Sequence, residues 1–132
     1  MKSLIFLITI CLFCTCCKKD NPYVKKIGTV LIANSTIVDT VLQNENTEIS
    51  IAAFAENGCW SNLFVDLKKE TSFYYSIKAY GTFSCREGGC ACPAVLVEMD
   101  TIINFQPTQK GNYIFNIYTS QDSITIATMI VN

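Results

Sequence analysis

Apolar residues recur at every second position through most of this chain, and that period limits its possible folds more than any other feature. Successive side chains of a strand point to opposite faces, so a period of two marks strands with one buried and one solvated side. In one run Phe73, Tyr75, Ile77, Ala79 and Phe83 share a face, against Ser76, Lys78 and Thr82. In another, Val95, Val97, Met99, Ile103 and Phe105 alternate with Glu98, Asp100 and Asn104. Shorter runs cover 29–33, 49–54, 63–67, 113–118 and 124–131. The segment 62–70 has helical length, but its alternating Leu63, Val65 and Leu67 favour a strand. Turn formers separate the runs: Asn57-Gly58, Lys69-Glu70-Thr71, Gly88-Gly89, Gln106-Pro107 through Gly111, and Ser120-Gln121-Asp122. The expected fold is all-β, an antiparallel β-sandwich of about seven strands.

Size and composition agree with one such domain. The chain has 132 residues, 50% hydrophobic and 16% charged, outside the low-hydropathy, high-charge range of disordered chains. The net charge is −1 and no basic run follows residue 26, so the electrostatic footprint of a nucleic-acid binder is missing and neither DNA nor RNA is expected as a partner.

The N-terminus has a different character. Lys2 precedes an apolar run from Leu4 to Phe13, followed by Cys14-Thr15-Cys16-Cys17 and then Lys18-Lys19-Asp20. A helix spanning a bilayer needs roughly 20 apolar residues, more than this run offers, so processing is the better reading. The cluster resembles a lipobox, in which small residues precede a cysteine that receives diacylglycerol before cleavage. Cys-Lys-Lys-Asp is similar to the mature start of lipoproteins of the Bacteroidota. The resemblance covers about twenty residues, departs from the pattern where Cys14 stands in place of the usual Leu, and implies a signal peptide over 1–16 with lipidation at Cys17. Cleavage one residue earlier would place the lipid on Cys16, with Phe13 in the Leu position. Residues 17–26 then form a lipidated tether and 27–132 the β-sandwich domain. Several acyl chains on one residue give stable anchoring where one is marginal. Lys18 stands where enterobacterial inner-membrane lipoproteins carry Asp, so the resemblance implies the outer membrane, with the facing side left open.

Near the C-terminus, Lys110-Gly111-Asn112-Tyr113-Ile114-Phe115 resembles the tyrosine corner of immunoglobulin-like domains, in which a Tyr two places after Gly bonds back to the chain. Phe115 occupies the place of the second core cysteine of immunoglobulins, so the resemblance implies an Ig-like sandwich without that disulfide.

Four further cysteines remain: Cys59, Cys85, Cys90 and Cys92. In an exported domain they are expected to form disulfides. Pairing Cys90 with Cys92 would close a ring across one residue, a poor fit to the usual Cα separation of about 4.4–6.8 Å. Loop entropy does not separate the other two pairings: Cys59 with Cys92 is worth about 3.8 kcal/mol and Cys85 with Cys90 about 2.2 kcal/mol, and the swapped pair totals nearly the same. Gly88 and Gly89 tip the choice, because they allow the tight loop that Cys85–Cys90 would close. Trp60 is then expected beside the Cys59–Cys92 bridge.

Catalysis finds little material. The chain has no histidine, which removes Ser-His-Asp and Cys-His nucleophiles, His-ligated zinc and type-one copper. Glu98 and Asp100 share a strand face about 7 Å apart, a spacing two glycosidase carboxylates could use, but they are read as two charges on a solvated face. No metal, cofactor or catalytic residue is expected. Asp39-Thr40-Val41, Asp100-Thr101-Ile102 and Asp122-Ser123-Ile124 fit the Asp, Ser or Thr, aliphatic motif of Bacteroidota O-glycosylation, which makes Thr40, Thr101 and Ser123 candidate acceptors. Asn34-Ser35-Thr36 is read as a chance sequon.

The expected function is that of a membrane-anchored lipoprotein of the cell envelope, a non-catalytic binding or scaffolding module. Its expected partners are membrane lipid through the N-terminal cysteine and an envelope protein or glycan, with loops 58–62 and 86–91 as contact surfaces. The alternative is a redox or metal-handling lipoprotein using the Cys90 and Cys92 thiols.

Overall fold

The alternation is realised as strands packed in two sheets within residues 22–132, the part of the chain that the computed structural model describes. The signal peptide over 1–16, the lipid sites Cys17 and Cys16, and Lys18 lie outside these residues. Nine strands are formed: β1 (Tyr23–Thr29), β2 (Leu31–Thr36), β3 (Thr40–Val41), β4 (Thr47–Ala55), β5 (Trp60–Lys69), β6 (Tyr74–Arg86), β7 (Val97–Phe105), β8 (Gly111–Tyr118) and β9 (Ile124–Val131).

The small sheet has the order β2-β4-β7 and is antiparallel throughout. The large one runs β5-β6-β8-β9-β3, with β1 beside the C-terminal half of β6. The chain crosses between sheets at Val30, which is buried and donates its N–H to the Ala79 carbonyl before β2 pairs with β4.

Two features depart from the expected antiparallel sandwich of about seven strands. Among the described residues nine strands form, and the two beyond the expected seven, β1 and β3, carry no alternation signal: β1 is exposed at nearly every residue, and β3 has only two residues. As a consequence Tyr23–Lys26, part of the stretch read as tether, is strand paired to β6. Moreover, β6 with β8 and β3 with β9 pair in parallel, so the large sheet is mixed. The parallel pairing of β6 with β8 is possible because β7, which lies between them in sequence, belongs to the other sheet and brings the chain back along the body. Parallel neighbours need such a crossover.

The core fills the space between the sheets. Ile49, Ile51, Ala53 and Ala55 of β4 face Ile77 and Ala79 of β6, Tyr113, Phe115 and Ile117 of β8, and Met129 and Val131 of β9. Toward the end where β8 starts, five aromatic rings interlock. Tyr75 stacks on Phe115 at 5.5 Å and meets Phe105 edge-on at 5.1 Å, while Phe73 meets Tyr113 edge-on at 5.2 Å. Such pairs contribute about 0.5–1.5 kcal/mol each beyond area burial.

The corner motif forms in the same place. Tyr113, 1% exposed, donates its hydroxyl to the Gln109 carbonyl at 3.0 Å and accepts the Gln109 N–H at 3.2 Å. Gly111 sits at φ 142° with Phe73 3.0 Å from where a Cβ would stand, so both conformation and space require glycine. Ser76 is buried in spite of its hydroxyl because Glu70 accepts its hydrogen bond at 2.9 Å. The same carboxylate takes a bond from Lys68, and these two donors hold Glu70 below the usual carboxylate range.

Candidate functional site

At the opposite end β4, β6 and β8 finish and β5 and β7 begin. Here β6 runs on past the small sheet, and β1 and the start of β5 run with it as an arm of a single layer. No residue of the arm beyond Gly81 is buried, so hydrophobic burial alone cannot hold it.

Covalent links hold it instead. The disulfide Cys59–Cys92, with Cα atoms 5.2 Å apart, ties the β4–β5 turn to the segment that leads into β7. Cys85–Cys90, with Cα atoms 5.4 Å apart, closes the tip loop after β6. Gly88 at φ 96° and Gly89 at φ 150° make the turn that this closure requires. The β4–β5 turn is held from both sides: Gly58 donates its N–H to the Pro93 carbonyl at 2.9 Å, and Ser84 donates to the Cys59 carbonyl at 2.8 Å. The tip loop is tied to the entering chain, since Glu87 donates its N–H to the Pro22 carbonyl at 3.0 Å. The Arg86 guanidinium lies 5.4 Å from the centre of the Tyr23 ring.

The two loops singled out by sequence, 58–62 and 86–91, thus become one surface. Together with Tyr23 and Pro93 they line a concavity of about 530 Å³. Trp60 forms one wall of it, and on its far side a second cleft of about 340 Å³ is lined by Leu31, Phe54, Glu56, Gln121 and Asp122. Trp60 is seated by two glycines that face each other across strands, Gly28 on β1 and Gly81 on β6. A Cβ on Gly28 would come within 2.9 Å of the indole, and one on Gly81 within 3.2 Å of it and 2.6 Å of Leu63. Glycine inside a strand marks such close approach. Phe83 closes the site edge-on at 5.2 Å from Trp60.

The expected position of Trp60 beside the Cys59–Cys92 bridge agrees with this arrangement. Gln121, Glu56 and the glycine pair were not found from sequence. Gln121 sits in an ordinary polar turn, and a Gly28–Gly81 pairing is visible only once the register of β1 on β6 is known.

The other candidate residues are scattered. Thr40 is exposed on β3 at the aromatic end, and Ser123 is exposed in the β8–β9 turn, where its carbonyl accepts the Thr119 N–H at 3.0 Å. Thr101 is half-buried and shares the inward parity of Met99, Ile103 and Phe105. Glu98 and Asp100 are exposed on the solvent face of β7. The sequon Asn34-Ser35-Thr36 lies in β2, with the Asn34 side chain accepting the Ser35 N–H at 2.8 Å. Cys90 and Cys92 belong to different bridges. Among the described residues no group of three or more His, Cys, Asp or Glu is placed to hold a metal ion.

No protein-family model, curated protein or solved structure matches this chain.

Proposed function

We propose that the protein is a lipid-anchored module of the bacterial cell envelope, carried on Cys17 and held at the outer membrane. On this reading it binds an envelope protein or glycan through the bridged end and catalyses nothing. The observation that carries the reading is the N-terminal pattern: Lys2, an apolar run too short to span a bilayer, and a cysteine cluster ending at Cys17 before Lys18-Lys19-Asp20. Two disulfides agree with it, because such bonds persist in exported proteins and are rare in the cytosol. The contact surface is assigned to the concavity between the stapled loops because rigid loops on a sheet scaffold are where binding residues concentrate.

We further infer an immunoglobulin-like variant. The order β2-β4-β7, the β8–β9 hairpin and the Tyr113 hydrogen bond before it support this. The placement of β6 rather than β5 against β8 is where it departs from the usual order.

Mass spectrometry of the mature N-terminus tests the anchor: an acylated Cys17 is expected, and an unmodified chain from the soluble fraction, or one with residues 1–16 intact, overturns it. Thiol titration of folded protein from the envelope tests the non-redox role. No reactive thiol is expected, whereas two or more would favour chemistry at Cys90 and Cys92. Protease shaving of intact cells and membrane fractionation test the outer-membrane assignment, and co-fractionation with the inner membrane overturns it.

A further inference from the structure

The chain enters the described domain at Pro22, beside the bridged tip, because Tyr23 pairs with Arg86 at the very end of β6. Five residues separate Cys17 from Tyr23, a span of at most about 20 Å when fully extended. Whatever holds Cys17 at a membrane therefore holds this end of the domain close to it.

The composition of that end suits the position. Tyr23 is 61% exposed and Val24 51%, although each is large and apolar. Alternation along β1 puts Tyr23 and Lys25 on one face of the arm and Val24 and Lys26 on the other, so an end-on approach presents all four. Arg86 stands beside Tyr23 and adds a third cationic group, against the one carboxylate of the tip loop, Glu87. Across the concavity Val95 and Leu96 are 54% and 55% exposed, and Val95 lies against Gly58. Tyrosine and exposed aliphatic groups ringed by Lys and Arg are the makeup of segments that sit at the headgroup level of a bilayer. The far end carries Lys69, Lys110 and an exposed Leu42 as well, so what sets the bridged end apart is that the chain from Cys17 enters there, while the turns with Gln43, Asn44, Glu45, Gln106 and Thr108 lie at the other end of the strands.

We infer that the bridged end lies on the bilayer itself, with Tyr23 and Val24 at headgroup level and Lys25, Lys26 and Arg86 on anionic lipid phosphates. The concavity between the stapled loops, lined by Tyr23 and Arg86, then opens at the bilayer surface, so the protein or glycan it takes is one held at that surface, and the turns at Asn44 and Thr108 point away from it. This inference rests on the anchor at Cys17.

The experiment uses the processed full chain in vesicles, comparing phosphatidylcholine alone with phosphatidylcholine containing phosphatidylglycerol. Flotation and the mass of the N-terminal peptide report the anchor; deuterium exchange reports docking. In the anionic vesicles, exchange in 86–96 is expected to slow about tenfold, the scale of a few cation–lipid contacts, while 42–46 and 106–110 stay unchanged. The variant Lys25→Gln, Lys26→Gln, Arg86→Gln should still float and lose the slowing. A chain that floats with Cys17 acylated but exchanges 86–96 equally in both vesicles overturns docking and leaves the anchor standing, and so does equal slowing at the far turns. A chain without acyl groups that stays in the soluble fraction overturns both.

Discussion

The two ends of the domain solve one stability problem by different means. At the aromatic end two sheets face each other, and Tyr75, Phe105, Tyr113 and Phe115 interlock in the gap, two of them fully buried. At the bridged end β6 has outrun the small sheet, and a single layer of strands is covered by Trp60 packed on Phe83, with Leu63 and Val30 against Gly81 where the arm begins. Where a second layer exists, water is excluded and burial stabilises. Where it is missing, cross-links that restrict the unfolded chain take over. The contrast also separates exposure: burial closes the aromatic end, while the bridges leave the loops of the other end exposed and fixed in place.

The sharpest way to break this comparison is to hollow out the buried end. Phe115→Ala should cost about 3–5 kcal/mol, because a fully buried ring leaves a cavity that strands cannot close. Loss of signal should be global, and an equilibrium denaturation curve measures it.

Removing the longer bridge should do less and act locally. With Cys59→Ser and Cys92→Ser together, loop entropy gives a loss of about 3.8 kcal/mol at most, and a melting temperature lower by roughly 10 °C or more. Hydrogen exchange should quicken at 56–62 and 93–97 before it does in β4 or β8. Uniform quickening would mean that the bridge supports the whole core and that the two ends are not distinct.

Tyr113→Phe keeps the ring and deletes the corner hydrogen bonds to Gln109, for an expected cost of about 1 kcal/mol. Phe73 and Phe105 should still pack against it. A cost as large as that of Phe115→Ala would show the corner, not the ring cluster, to be the main support.

The smallest effect is one of pH. Burial, with a lesser contribution from Tyr113, holds the Tyr75 hydroxyl above its ordinary 10.0. A group raised on folding favours the folded state while protonated, so its share of stability is intact below pH 10.0 and is lost as pH climbs through the raised value. Melting temperature followed into the alkaline range should fall less steeply in Tyr75→Phe than in the parent. Equal slopes would place the titrating group elsewhere.

Much of this arrangement was legible in the residues alone. The period of two named the strands β4 to β9 and the inward faces of β6 and β7, because the side a strand residue faces is a local property. Gly88-Gly89 favoured the pairing of Cys85 with Cys90, and Gly111 with Tyr113 marked the corner, since each depends on a few neighbouring residues. What only the tertiary structure decided is which strand lies beside which. Residue patterns cannot show that β6 rather than β5 meets β8, or that the pair is parallel, because that choice depends on how β7 crosses to the other sheet. The strand at Tyr23–Thr29 escaped notice for a related reason: exposed on both faces, it has no alternation to read and exists because β6 offers it an edge. The site followed the same rule, for loops 58–62 and 86–91 were each visible as loops, but their union around Trp60 required the register that sets Gly28 opposite Gly81.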